Sequence, residues 1–217
     1  MTREDYIEQN LVAVVPGTDE CVIREHTVTI DTGGFKRTIT CTGSHIEELV
    51  RGFCFTEGES GNGQPAGAPD VESDGLPAGA QADITTQISP IDWTPEQIHC
   101  LARLFLDYEG IHTYTSGTHL AILARGDDVL CIMEDISRHC AIDKVIGYAL
   151  LRDINLPECM IYSSGRVQYD TIRKLVRAGV GMLVSKSVPT YEAIELAKMH
   201  GITLIGRAWP DGYTVFT

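Results

Sequence analysis

The sequence predicts an α/β protein with a smaller N-terminal α+β part, and three observations carry that expectation. Three apolar runs in the C-terminal third each stop at a short polar turn. Leu156 to Tyr162 meets Ser163-Ser164-Gly165-Arg166, Gly181 to Val184 meets Ser185-Lys186-Ser187, and Ile202 to Ile205 meets Gly206-Arg207. The first two turns lead into helical spacing, Val167 to Ala178 and a helix from about Thr190, which is the strand and helix alternation of an open sheet. Two further pairs of short strands earlier in the chain read as hairpins. Finally, 217 residues at 43% apolar composition can bury one good core, or a core with a small subdomain.

Taken in order, Val22 to Ile30 and Lys36 to Cys41 are strands around the turn Thr32-Gly33-Gly34. Ser44 to Phe55 sets Ile46, Leu49, Val50 and Phe53 at helical spacing, with Ser44 as N-cap and Glu47 completing a capping box. From Glu57 to Asp83 the pattern gives way to Gly, Pro, Ala, Ser and acids, which cannot fill a core. The expected organisation is therefore an N-terminal hairpin and helix subdomain over 1–58, a flexible linker over 59–90 and a main domain over 91–217. Thr94 to Tyr108 is a helix through Ile98, Leu101, Ala102 and Phe105, with Pro95 in its first turn. His119 to Arg125 and Val129 to Met133 form the second hairpin across Gly126-Asp127-Asp128. Ala141, Ile142, Val145, Ile146, Ala149 and Leu150 mark the buried stripe of the next helix. That stripe leaves Asp143 and Lys144 beside it and puts Arg138 and His139 at its N-terminal end.

The strand ends carry the first candidate site. Unpaired N–H groups at a helix start favour anions, and in open α/β sheets ligands gather beside the carboxyl ends of strands. Ser163, Ser164, Gly165 and Arg166, then Lys186 and Ser187, then Arg207, fit a phosphate seat. The alternative is a set of ordinary turns whose serines cap helices and whose cations are solvated. Charge distribution favours the seat. The chain carries a net charge of -13, yet from Glu134 onward ten Lys and Arg face nine Asp and Glu. A small polyanionic ligand suits that cluster; nucleic acid does not, because backbone binding needs a broad basic face. Glu134, Asp135, Arg138 and His139 form a second cluster, four ionisable groups within six positions that need a ligand or a network to offset desolvation.

Several function classes are excluded. No run of 18 apolar residues spans a membrane, and Met1-Thr2-Arg3-Glu4-Asp5 lacks the layout of a signal peptide, so a cytoplasmic protein is expected. Seven widely spaced cysteines fit neither a disulfide framework nor a zinc knuckle. A zinc nucleoside deaminase needs His-x-Glu and Pro-Cys-x-x-Cys; His139-Cys140-Ala141 has alanine where the glutamate must be, and no thiolates follow. No nucleophile elbow of the Gly-x-Ser-x-Gly type occurs.

Several motifs together resemble a known family. They are Thr115-Ser116-Gly117-Thr118-His119, then Glu134-Asp135-Ile136-Ser137-Arg138-His139 with Ala141 and Asp143-Lys144-Val145-Ile146-Gly147, then Ser163-Ser164-Gly165-Arg166. The tail from Thr203-Leu204-Ile205-Gly206 to Tyr213-Thr214-Val215-Phe216-Thr217 completes them. Glu48-Leu49, Gly52-Phe53 and Phe55-Thr56-Glu57-Gly58 match near the N-terminus. The pattern is similar to that of the formate dehydrogenase accessory sulfurtransferase family (FdhD). The resemblance implies a cytidine-deaminase-like mixed sheet with flanking helices and without zinc. It also implies a transient ligand, the bis(molybdopterin guanine dinucleotide) cofactor of molybdenum or tungsten, with guanine nucleotide as a partial mimic. The partners it implies are the formate dehydrogenase catalytic subunit and a cysteine desulfurase; pairing with a second copy is left open. The cofactor-contacting segment aligns with Arg207-Ala208-Trp209-Pro210-Asp211-Gly212, where Trp209 either offers a stacking face or is a half-buried surface aromatic.

One departure divides the functional expectation. Typical members carry a Cys-x-x-Cys suited to persulfide relay, and this chain has no cysteine between Cys54 and Cys100. Cys140, at a helix start beside Arg138 and His139 where the family usually has Asn, is the first substitute, with burial as its alternative; Cys54 is the second, by expected exposure. Two functions follow: a sulfur carrier to the cofactor, or a cofactor-binding chaperone without sulfur transfer.

Overall fold

The computed structural model describes residues 1–31, 35–57, the backbone of 64–65, and 87–217. Its N-terminal part comprises α1 (Arg3–Glu8), β1 (Val12–Val14), β2 (Cys21–Ile23), β3 (His26–Asp31), β4 (Lys36–Cys41), α2 (Ile46–Glu57) and the short β5 (Gln64–Pro65). The main part continues with α3 (Pro95–Asp107), α4 (Ile111–Thr115), β6 (His119–Arg125), β7 (Asp128–Asp135) and α5 (Arg138–Leu151). It ends with β8 (Met160–Ser163), α6 (Tyr169–Ala178), β9 (Met182–Ser185), α7 (Tyr191–His200), β10 (Thr203–Trp209) and β11 (Gly212–Val215).

The expected α/β architecture is present as one six-stranded mixed sheet in the order β11-β10-β9-β8-β6-β7. β8, β9 and β10 run parallel, each crossover being a helix, whereas β6, β7 and β11 are antiparallel additions. Alternation along β6 explains the layering. Leu120, Ile122 and Ala124 join Ile98, Leu101 and Ala102 of α3 on one face, and Ala121 and Leu123 join α5, α6 and α7 on the other. The helix ends follow local chemistry. Thr94 and Gln97 form a reciprocal capping box at α3 with Pro95 at its start, and Gly179 and Gly201 close α6 and α7 in left-handed conformations at φ 71° and 75°.

Several sequence expectations need correction. Val22 to Ile30 is two strands, because β2 pairs with β1 and β3 with β4, the chain changing partners at Arg24 and Glu25. Ser44 does not cap α2; its hydroxyl pairs with Thr42 Oγ1 at 3.0 Å, and α2 begins after His45, held at φ 52°. The run before Ser163 is shorter than expected, since Pro157 sits in a 3₁₀ turn, Leu156–Glu158, ahead of β8. The tail folds back as β11, which the periodicity did not reveal. The expected turn Thr32-Gly33-Gly34 and most of the expected linker lie outside the described residues. The linker's last residues do not hang free. Ile88 is buried in the main core, and its N–H donates to His200 O at 2.8 Å.

The main correction concerns α5. Asp143 and Lys144 do not flank a single stripe; they are 1% and 0% exposed. The cause is a second covering layer. α2 crosses α5 at Gly52 and Gly147, where a Cβ on either glycine would overlap a backbone carbonyl of the other helix. A helix covered by the sheet on one side and by a helix on the other has no solvated polar face, so its charges must pair internally. Lys144 Nζ reaches Asp135 Oδ2 at 2.7 Å, Thr42 Oγ1 at 2.7 Å and Glu134 O at 3.0 Å. Lys174 Nζ of α6 reaches both Asp143 oxygens at 2.9 and 3.0 Å, Thr56 Oγ1 at 2.9 Å and Glu57 Oε1 at 3.0 Å. The first network ties the N-terminal part to the main sheet and the second ties α2 to α5 and α6, while Cys140 of α5 completes the apolar core beneath β3, β4 and α2.

Candidate functional site

The carboxyl ends of β8, β9 and β10 are stitched together by their own polar groups. Gly165 N–H donates to Ser163 Oγ at 3.2 Å, Ser185 Oγ donates to Gly165 O at 2.8 Å, and Ser187 Oγ donates to Ser164 O at 3.3 Å. Backbone bonds from Lys186 to Ser163 O and from Arg207 to Ser187 O complete the stitching. Ser163, Ser164 and Gly165 are thus buried structural residues, and α6 starts only at Tyr169, after Gln168. The expected direct passage from Ser163–Arg166 into a helix start is corrected: the serines hold the loops and do not present helix N–H groups.

Those loops form one side of a cavity of about 540 Å³. Phe105, Leu106 and Tyr108 of α3 and the turn after it, residues 112–113 and 116–120, Ser164, Lys186 and Trp209 line it. Of the sequence-derived site residues, the structure therefore gathers Ser164, Lys186, His119 and Trp209. Arg166 and Arg207 are exposed and do not line the cavity, so the three strand-end cations do not share it. Lys186 Nζ stands 4.9 Å from the Phe105 ring centre and 5.8 Å from that of Trp209. Two ring faces hold this ammonium by cation–π attraction without neutralising it. Trp209 is 39% exposed on the rim; Pro210 and Asp211 make the turn to Gly212, and Ala208 is buried, its carbonyl accepting from Tyr162 Oη at 2.9 Å.

Glu134 and Asp135 are neighbours on β7 and so face opposite ways. The Glu134 carboxylate accepts from Ile111 N at 2.8 Å, His112 N at 2.9 Å and Thr118 Oγ1 at 2.9 Å, which fixes the cavity wall from behind. Asp135 turns to Lys144, Thr42 and Ser137 N. Three of the four cluster residues are thus engaged in networks, Arg138 donating to Gln168 Oε1 with its stem packed on Gly165, while the partly buried His139 is lowered in pKa first by burial and then by Arg138. Among the described residues no three His, Cys, Asp or Glu stand together to hold a metal ion. Phe105, Tyr108, His112, Thr113, Ser116, Gly117 and Thr118 were missed as cavity residues. Phe105 and Tyr108, three apart on one helix side, were the signal available for the first two.

The family model described as FdhD/NarQ matches residues 66–217. The chain belongs to the FdhD/NarQ family. Relatives bearing the name "Sulfur carrier protein FdhD" include those of Geobacillus kaustophilus, 29% identical over 88% of this chain and 85% of theirs, and Bacillus subtilis, 30% identical over 83% and 81%. A solved structure assigned to a formate dehydrogenase accessory protein of Desulfotalea psychrophila superposes with a TM-score of 0.75 at 22% identity, covering 95% of this chain and 94% of that one. At that identity the superposition establishes the shared fold. Every described cavity residue falls within the span matched by the FdhD/NarQ model.

The substitute thiols do not suit an FdhD/NarQ relay. Cys140 and Cys54 are each 4% exposed, which corrects the expected exposure of Cys54. Burial pushes the Cys140 thiol up to about 12, with Asp135 and Asp143 adding to the rise. Desolvation outweighs the helix start and its neighbouring cations. Cys100, on α3, is exposed and Cys131 half-buried. Alkylation of the folded protein at neutral pH is therefore expected to label Cys100 first and to leave Cys140 and Cys54 unlabelled, as peptide mapping will read. Fast labelling of Cys140 would contradict the burial just described.

Proposed function

We propose that the protein serves formate dehydrogenase maturation as an FdhD-type accessory protein, and that its cavity holds a guanine nucleotide end of a bis(molybdopterin guanine dinucleotide) cofactor of molybdenum or tungsten. The observation that carries this reading is the Lys186 ammonium between the Phe105 and Trp209 rings, in one cavity with His119 and Ser164. Rings offer stacking surface to a flat base, the ammonium attracts phosphate, and the hydroxyls and imidazoles supply directional bonds. The catalytic subunit of formate dehydrogenase is the recipient, and the names of the relatives support sulfur delivery as the accompanying act.

Calorimetry with guanosine diphosphate tests the cavity. Lys186→Met is expected to weaken binding by about 1.5–3 kcal/mol, the range for a bond to a charged group. Arg166→Gln and Arg207→Gln, outside the cavity, are expected to cost less. Equal affinity in wild type and K186M would remove the cavity as the phosphate site.

Burial of Cys140 and Cys54 favours a second reading, a chaperone that holds the cofactor and transfers no sulfur. Incubation with a cysteine desulfurase and cysteine, followed by intact-mass measurement, separates the two. An added sulfur atom mapped to Cys100, the exposed thiol, supports the carrier; an unchanged mass under conditions that load a relative with the Cys-x-x-Cys supports the chaperone.

A further inference from the structure

The cavity contains a group whose charge is free to change. His119 opens β6 beside Lys186, and its Nδ1 lies 3.4 Å from Ser164 Oγ, which accepts from Leu120 N–H at 2.9 Å. With the imidazole neutral, the Ser164 hydroxyl donates to Nδ1; with it protonated, Nδ1–H donates and Ser164 Oγ accepts. The contact survives in either state, so gaining a proton costs no hydrogen bond. The neighbouring charges come from four elements: Arg138 on α5, Lys186 after β9, His112 on α4 and Asp135 on β7. Asp135, the one acid among them, is already engaged by Lys144, by Thr42 N–H and by Ser137 N–H. Glu134, behind the wall, is likewise occupied by Ile111, His112 and Thr118, and the Tyr108 phenol, pushed up to about 12 first by burial, stays neutral. The groups around His119 therefore give it a positive surrounding, with no unengaged anion among the described residues.

Resting on the reading of the cavity as a nucleotide site, we propose that His119 selects for a phosphate-bearing ligand by taking up a proton as that ligand enters. Burial, then Arg138, Lys186 and His112, hold the free imidazole below its ordinary pKa. A phosphate in the same cavity reverses the sign of that field. Because the pKa is low without ligand and higher with it, affinity rises as pH falls through the interval between the two values and is level above it.

The test is calorimetry with diguanosine pyrophosphate, whose phosphodiester groups have no proton to gain near neutrality, in two buffers of different ionisation enthalpy. Wild type is expected to bind about tenfold more tightly at about pH 5.5 than at about pH 8, with net proton uptake, one unit of pKa change being tenfold in affinity. His119→Gln, which keeps a hydrogen-bonding side chain without a titration in this range, is expected to show a flat pH profile and no uptake. Binding without uptake in wild type, or uptake persisting in H119Q, would overturn the linkage and leave the nucleotide site standing. No binding of either diguanosine pyrophosphate or guanosine diphosphate would overturn the site and the linkage together.

Discussion

Lys144→Met is expected to destabilise the fold by about 3–5 kcal/mol, the cost of leaving one buried charge without its partner. The ammonium it removes serves Asp135 Oδ2, Thr42 Oγ1 and Glu134 O, all inside 3.0 Å, in a place with no access to water. Asp135 would keep two backbone donors, Thr42 N–H and Ser137 N–H, but no countercharge. Urea unfolding with a lowered midpoint reads the loss. Asp135→Leu in the same chain is expected to recover part of it, because an apolar pair needs no compensation. A midpoint equal to that of wild type in K144M would show that the pair is solvated.

Gly147→Ala is the second large effect, expected at about 3 kcal/mol, the upper part of the range for overpacking. The new methyl would overlap Glu48 O, a backbone atom that no rotamer change can move, so α2 and α5 must separate. Separation also loosens the grip of Lys174 on Asp143, Thr56 and Glu57, which spans the same crossing. Gly212→Ala is the control, since a Cβ there meets nothing within 4 Å. Thermal unfolding is expected to move strongly for G147A and little for G212A. Helix propensity and chain entropy both favour alanine over glycine at position 147, so comparable shifts in the two would mean that the close crossing does not set the cost.

The parallel strands, the β6 and β7 hairpin and α3 are legible because each is written locally, in apolar runs ended by polar turns, a Gly-Asp-Asp turn and a proline at a helix start. What escaped is non-local. Asp143 and Lys144 fall beside the apolar stripe of α5, which is complete without them; only the second layer, admitted by Gly52 and Gly147, buries them. Lys186 was found by its place after a strand, but the rings that hold it come from α3 and from the far end of β10, distant in sequence. Arg166 and Arg207 shared the same strand-end signature, and nothing local distinguishes a cation that turns into a cavity from one that turns to solvent. Glu134 and Asp135 stand out in the sequence as groups that need a ligand or a network, and networks within the protein engage both.

That pair of opposed carboxylates also bears on how the sheet finds its pairing. In the native hairpin Leu120 stands opposite Glu134 and His119 opposite Asp135. A slip of one residue between β6 and β7 exchanges the faces of the two acids. Each would then enter a chamber built for a side chain of a different length, leaving the α4 amides without an acceptor and Lys144 without its anion. Aliphatic strands such as these penalise misalignment weakly, since Leu, Ile and Ala fit either face. Two adjacent charges with separate partners raise the penalty on both faces at once, so the step from Glu134 to Asp135 fixes the alignment of β7 against β6.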